Sequence, residues 1–456
     1  MSLDQSNIYQ ASLLEAVGFR TITEIERNHP LIQLCEQIPW AELADAVIPI
    51  LYYDAGIPMN KGRKLNLRAQ LGAYILQSAH NWTDRWTEEM LKFYIPARIF
   101  CGYMESNGSL DRTSIEDFRN RLGVKGSALI TSEILKTARD FGFTESTVLN
   151  MDTTVQEAGI THPTEMKLMN HLMNRCGALG EKLKDIPGHC LTGIEKLKKK
   201  FQDAMNHYRF FAKDKEQKSE SIKAAKEIAI QALSKLQKLL PGTRVFRDMK
   251  INYQQEVLRL LDLGPRLMEQ IEYWLKTGYV ARDKIISLWK MIPQAVSKGK
   301  IGKEVEFGRK WIVNQYKNGY VLVMPMENPK GSDQHSIKDC LGLHHTVFEK
   351  PPRDIATDRG MFSQENLEIC MSAEIKNIGI QTKGQSKSIC TKPVLQRLSH
   401  GRISVEAGIG HLKPRGLGRS RMKTDHGDII SGQRSALSLN LTHLMKDIGF
   451  GMVTGR

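Results

Sequence analysis

The sequence predicts an α/β fold: a mixed five-stranded sheet with helices on its faces, a large helical insertion after the first strand, and an all-helical segment ahead of it. Three observations predict this. Residues 147–151 read as a buried strand, the apolar pattern from 163 to 296 is helical almost throughout, and a period of two returns near residue 305. The resulting order is strand, helical block, hairpin, strand, helix, strand, helix, which one sheet covered by helices and interrupted by an insertion accommodates most simply.

Residues 1–58 form an N-terminal helical arm of apolar patches broken by prolines, as in "HPLIQLCEQIPWAELADAVIPILYY". A basic loop follows, "MNKGRKLN", with Arg63 and Lys64. Asn66 can then cap a helix whose apolar positions Leu67, Leu71, Tyr74, Ile75 and Ala79 recur at helical spacing. A second helix starts near Thr83 or Thr87. Two short helices joined by a tight turn beside a basic loop suit a helix-turn-helix DNA-binding segment over 59–130, although helical hairpins that bind nothing share the signature. A loop and another helix, "SNGSLDRTSIEDFRNRLG", complete this region.

In the first strand Thr147, Val148, Leu149 and Met151 are β-branched or apolar, and Asp152 follows them. An acid so placed costs free energy unless its charge is compensated. It reads either as a turn-capping aspartate or as a metal ligand that needs partner carboxylates. The insertion, 171–297, contains "IEKLKKKFQDAMNHYRFF", "ESIKAAKEIAIQALSKLQKLL" and "YQQEVLRLLDLGPRLMEQIEYWL", with Lys and Glu on solvated faces. Pro241-Gly242 and Gly264-Pro265 are expected to divide it into separate helices.

Beyond it, Val305, Phe307, Arg309, Trp311 and Val313 alternate on one face of a strand, and Asn318-Gly319 marks a hairpin turn. "PRDIATDRGMFSQENLEICMSA" predicts a strand ending at Asp358, a glycine at 360 that lets the backbone turn, and a helix from about Ser363; "KNIGIQTKG" predicts the last strand.

Asp358 thus occupies the same kind of position as Asp152, and if their strands are neighbours both carboxylates meet at one place. A third candidate lies in "HGRISVEAGIGHLKPRG". As a helix at roughly 100° per residue this stretch sets Arg402, Glu406 and Lys413 on one stripe, with Val405, Ile409 and Leu412 on an adjacent apolar face. Arg402 and Glu406 are equally at the spacing of an ordinary surface salt bridge. Gly408 and Gly410 weaken the helix by about 1 kcal/mol each, which close approach of a backbone or of DNA would explain. From Thr391 to Lys423 there are eight Lys or Arg and one acid, Glu406. A lone acid in such a segment points to a metal beside bound phosphate.

The whole chain has the composition of an ordinary folded protein, 41% hydrophobic and 25% charged over 456 residues, with a net charge of +15. That excess favours a polyanionic partner: nucleic acid first, an anionic membrane surface second. No run approaches the 18 or more apolar residues of a membrane span, and the N-terminus lacks signal-peptide features, so a cytoplasmic, nucleoid-associated location is expected. The seven cysteines (35, 101, 176, 190, 340, 370 and 390) form no CxxC pair and are expected to be reduced and mostly buried. His189-Cys190 and His344-His345 lack a second cluster at ligand spacing and are expected to be incidental.

The blocks "MDTTVQEAGITHPTEMKLM", "IATDRGMFSQENLE" and "GRISVEAGIGHLKPRGLGRSRMK" resemble, in order, the three signature blocks of bacterial insertion-sequence transposases of the DDE class, in particular the insertion-sequence five group. That family's last block is Tyr, two residues, Arg, three residues, Glu, six residues, Lys. Arg402, Glu406 and Lys413 keep the spacing, and Ser399 stands at the Tyr position. "GRKLNLRAQLGAYILQSAHNWTDRWTEEMLKFYIPARIFCGY" is similar to the family's N-terminal helical domain, and "KGKIGKEVEFGRKWIV" to the segment opening its second strand.

The resemblance implies an RNase H-like catalytic domain over 140–170 and 298–456, with Asp152, Asp358 and Glu406 as a triad holding two Mg²⁺ ions, or Mn²⁺ in their place; Asp152 would bridge both. It implies double-stranded DNA as partner, both transposon ends and target, contacted by Arg402, Lys413, Arg415, Arg419, Arg63 and Lys64, and a homodimer on paired ends. The expected activity is end cleavage followed by joining of the 3′ hydroxyl to target DNA. No nucleotide hydrolysis is needed, and the chain has no Gly-x-x-x-x-Gly-Lys-Ser/Thr loop. An RNase H-like nuclease that does not join strands, and a non-catalytic DNA-binding descendant, are the alternatives.

Overall fold

The computed structural model describes residues 29–54, 65–103, 108–186, 191–290, 294–300, 303–327, 333–380 and 390–449. Two compact units divide the chain, one formed by 1–159 with 296–456 and the other by 160–295.

The first unit begins with α1 (Pro30–Gln37), α2 (Trp40–Ile48), α3 (Leu67–His80), α4 (Asp84–Phe93), α5 (Ile95–Phe100) and α6 (Arg112–Asp140), followed by β1 (Val148–Glu157). Local chemistry starts the central pair: the Asn66 side chain accepts from the Ala69 N–H at 3.1 Å, and Thr83 caps α4 by accepting from Trp86 at 3.1 Å. Asn81, at φ 54°, takes the left-handed conformation that ends α3. Every residue of α3 from Leu67 to Ser78 is buried, so this is a core helix. Even its Arg68 is inside, with its guanidinium carbon 3.1 Å from the Trp40 ring centre and a hydrogen bond of 3.0 Å to Cys35 Sγ. Leu34, Leu71, Phe100 and Ile134 from these helices share one continuous core with Leu149, Met151 and Ile312 of the sheet.

The second unit contains α7 (Glu165–Leu183), α8 (Ile194–Asn206), α9 (Lys215–Leu236), α10 (Arg244–Asp248) and α11 (Ile251–Thr277). It has its own core, including Met169, Leu172, Phe201, Leu233, Leu260 and Leu267. Contrary to the sequence reading, Gly264-Pro265 does not break a helix: α11 runs through Pro265. Its buried face, Leu260, Leu263, Gly264, Leu267 and Met268, continues across the proline, and Gly264 lies against Leu233 of α9. Packing on that face outweighs the lost backbone hydrogen bond. The ends of this unit meet where Lys284 pairs with Glu165 at 2.6 Å.

The remaining elements are β2 (Gln294–Lys300), β3 (Lys303–Gln315), β4 (Val321–Pro325), α12 (Ile337–Phe348), β5 (Asp354–Thr357), α13 (Gln364–Ser372), β6 (Asn377–Ile380), α14 (Lys392–Leu412) and α15 (Asp425–Asp447). They complete a mixed sheet in the order β2-β3-β1-β5-β6, with β4 also on β3. β1 pairs antiparallel with β3 and parallel with β5, which pairs parallel with β6. The sheet has six strands, one more than expected. The extra one is β2, "QAVSKGK", whose polar and basic composition carries no alternating apolar signal and suits the edge position it takes. The β3–β4 hairpin turns at Asn318 (φ 59°) and Gly319 (φ 83°), the conformation for which Asn-Gly is selected. The alternation on β3 is masked because Trp311 to Tyr316 are buried on both faces, while Val305 is exposed.

α15 packs against α6, α3 and β4. On this helix Gly432 faces the fully buried Trp311, whose indole N–H is fixed by Gln156 Oε1 at 3.0 Å. A methyl group at 432 would collide with the indole ring. Gly432→Ala is therefore expected to destabilise the chain by about 2–3 kcal/mol, read as a fall in the urea midpoint.

At the start of β5, Asp354 is fully buried and accepts from Arg353 (3.1 and 2.9 Å), Asn377 (2.6 Å) and Arg397 (2.7 Å). Burial alone would raise its pKa, but these hydrogen bonds outweigh burial and hold the carboxyl at about 2. A carboxyl lowered in the folded state stabilises it above the unfolded pKa of about 3.9, and that contribution, about 2 kcal/mol, is lost as pH falls through about 2. The stability gap between the wild type and Asp354→Asn should accordingly shrink as the pH is lowered from about 5 to about 2.

Candidate active site

Asp152 lies in the middle of β1 and not at its end, because Thr153 to Glu157 continue to pair with β3 as far as Gly308. What ends near Asp152 is the parallel ladder with β5, whose last pair is Asn150 with Ala356. Carrying that register two residues further sets Asp152 opposite Asp358, the first residue after β5. Both acids thus stand where two neighbouring strands part. Asp358 caps a short turn, Arg359–Met361, and is exposed.

The third acid comes from α14, which lies against β1, β3, β5 and β6. The apolar seam expected of this helix is present, with Val405 and Leu412 fully buried and Ile409 packed beside them. Two glycines let the helix approach the sheet: a Cβ on Gly401 would come within 3.3 Å of Asn150 Oδ1, and one on Gly408 within 2.8 Å of Gln315 Oε1. Gly410 faces open space. Glu406 stands on the exposed face of this helix.

The charges of the other two acids act on Asp152. Burial is the largest influence on Asp152 and raises its carboxyl above the usual range; the Thr153 N–H, donating at 2.7 Å, and Arg402 act in the opposite sense, while the charges of Asp358 and Glu406 push it higher. Arg402 spans two of them, with one terminal nitrogen 3.6 Å from Asp152 Oδ2 and the other 3.7 Å from Glu406 Oε1. The i,i+4 salt bridge allowed by the sequence is therefore present, extended by a second acid that the sequence did not pair with Arg402.

Lys413 ends α14, Arg415 follows it in the turn Lys413–Arg415 and donates to the His411 carbonyl at 2.8 Å, and Arg419 is exposed where the chain bridges to Glu157 at the end of β1. These cations and the three acids thus belong to one unit of the chain. Arg63 and Lys64, and with them the basic loop, lie outside the described residues, as do His189 and Cys190.

The donors fit a hard divalent cation in kind, being carboxylate oxygens, and the charges of Asp358 and Glu406 act on Asp152. As the side chains stand, with Arg402 between two acids, no group of three or more His, Cys, Asp or Glu among the described residues is placed to hold a metal ion. His344 is buried against Tyr316 and Phe348, and burial lowers its pKa to about 4, which suits a neutral core histidine. Six of the seven cysteines are described; all are free thiols, five of them buried. Asn150 and Gln315, which no motif singles out, have buried side-chain carbonyl oxygens that face α14 and have no hydrogen-bond partner among the described residues. Asn150 precedes Asp152 by two, the spacing of a shared strand face, and that was the available signal.

Residues 20–121 match the family model of a transposase domain, DUF772. That match covers the N-terminal helices and ends before β1, β5 and α14. A Rhizobium meliloti protein, ORF8 in the nfe locus, described as uncharacterized, is 27% identical over 152 residues, which is 32% of this chain and 69% of that protein. No solved structure matches. Among the described residues no helix is long and apolar enough to cross a membrane.

Proposed function

We propose that the chain is a DNA transposase of the DDE class, insertion-sequence five group, that binds the inverted-repeat ends of its element, cleaves there and joins the 3′ hydroxyl to target DNA. What supports this reading is that the charges of Asp358 and of Glu406 on α14 act on Asp152 near the point where the β1–β5 ladder ends, in a chain whose N-terminal region matches a transposase domain. The sheet, antiparallel on one side of β1 and parallel on the other, is read as an RNase H-like core, with the helical unit as its insertion and 59–130 as the end-binding segment.

Asp152, Asp358 and Glu406 would hold Mg²⁺, or Mn²⁺, which when bound activates the attacking oxygen and stabilises the departing 3′ oxygen. The chain's own part is to aim and to hold. The Thr153 N–H fixes one Asp152 oxygen at 2.7 Å, so the carboxylate keeps one orientation. The exposed carboxylates of Asp358 and Glu406 reach the DNA side, and Lys413, Arg415 and Arg419 supply positive charge for the phosphates flanking the break. DNA is the partner on this account, at ends and target alike, with two copies of the chain on paired ends.

The reading is tested with duplex oligonucleotides taken from the DNA flanking the reading frame, incubated with the full chain and Mg²⁺. Cleavage that exposes a 3′ hydroxyl, followed by its covalent joining to a second duplex, is expected. Hydrolysis without joined products would replace the transposase by the nuclease alternative, and binding without either reaction by the non-catalytic one.

A further inference from the structure

Arg402 is 22% exposed and divides its guanidinium between Asp152 and Glu406, two of the three acids assigned above to divalent cations. A guanidinium and a metal ion compete for the same carboxylate oxygens. The two contacts, 3.6 and 3.7 Å, are longer than the 2.7–2.9 Å typical of close charge-assisted hydrogen bonds, so this is a loose bridge. Its Glu406 arm is also open to solvent, with that side chain 64% exposed. An exposed ion pair such as the Glu406 arm is weak. The same planar fork suits a phosphate as well as a carboxylate. The segment that carries it, Thr391 to Lys423, holds seven other Lys or Arg, so DNA drawn to this helix brings phosphates within reach of the arginine.

We propose that Arg402 is a positioning residue that changes partners. It holds the Asp152 and Glu406 carboxylates together while DNA is absent, and moves to a backbone phosphate when DNA binds, which releases both carboxylates to the divalent cation. The inference rests on the metal-binding reading of the three acids. Its consequence is that DNA and metal bind cooperatively through one side chain: DNA tightens the metal, and by linkage the metal tightens DNA by the same factor. Divalent cations would then load mainly on chain already seated on DNA, which limits stray cutting.

Calorimetric titration of Mn²⁺ into the full-length protein tests this in wild type, Arg402→Ala, Arg402→Gln and Asp152→Asn, each with and without a short duplex. The Gln variant keeps the bulk of the side chain should Ala disturb the helix. Without DNA, both Arg402 variants are expected to bind Mn²⁺ about tenfold more tightly than wild type. The duplex should then tighten Mn²⁺ binding less in those variants than in wild type, by that same factor. Equal or weaker binding by the Arg402 variants, when Asp152→Asn abolishes it, would overturn this inference and leave the metal reading standing. No Mn²⁺ binding by wild type or either Arg402 variant, with DNA present or absent, would overturn the metal reading and this inference with it.

Discussion

Changing Asp152 or Asp358 to Asn, or Glu406 to Gln, is expected to lower DNA cleavage and joining by at least about a thousandfold while leaving DNA binding intact or slightly tighter. Metal ligation needs the charge, and the amides are close to isosteric. Asp358 and Glu406 are exposed, so their amides should also fold normally. Removing a negative charge beside bound phosphate lowers repulsion, which is why binding should not weaken. Gel-shift and strand-transfer assays on the same preparations separate the two effects. Strand transfer near the wild-type rate by Glu406→Gln would remove it from the site.

The largest effect on stability is expected at Asp84. This residue opens α4 and accepts from Arg119 of α6 through both carboxylate oxygens and from Gln77 of α3 at 2.7 Å. Arg434 of α15, buried beside Tyr74 and 3.2 Å from Ser78 Oγ, also senses its charge. Burial raises the Asp84 carboxyl, but the hydrogen bonds from Arg119 and Gln77 and the charge of Arg119 outweigh it and set the pKa below the usual range. Asp84→Asn would leave two buried guanidinium groups without a counter-charge, at a cost of about 3 kcal/mol. Urea unfolding at neutral pH checks this, and a loss under about 1 kcal/mol would show that solvent already screens the cluster. Because the carboxyl is lowered in the fold, its contribution should fade as pH drops below the usual carboxylate range. The cluster ties the helices similar to a transposase domain to α15, which in turn lies on the sheet.

Those features were legible in the sequence whose cause is local. The caps at Asn66 and Thr83, the Asn318-Gly319 turn, the helix start at Ser363 and the apolar seam of α14 all depend on residues within a few positions of one another. What escaped depends on neighbours far along the chain. β2 is a strand because β3 lies beside it, although "QAVSKGK" has no strand pattern of its own. α11 survives Pro265 because α9 covers its buried face. β1 runs past Asp152 because β3 pairs with it, so the acid sits within a strand and gains its special position only where β5 departs. The three acids of the candidate site could be named from motif order, but that Arg402 reaches Asp152 as well as Glu406 follows only from α14 lying on β1. The Asp354 cluster joins β5, β6 and α14 in the same way, and spacing offers no hint of it.

The central claim, that these three carboxylates drive cleavage and joining by a transposase, is tested most directly in cells by a mobility assay. A donor plasmid carries the reading frame with its flanking DNA, and joined products are recovered from a target plasmid and sequenced. Insertions bounded by a short duplication of target DNA are expected from the wild type and none from Asp358→Asn. Insertions from Asp358→Asn at the wild-type frequency, or cut donor without a single joined product from the wild type, would contradict it.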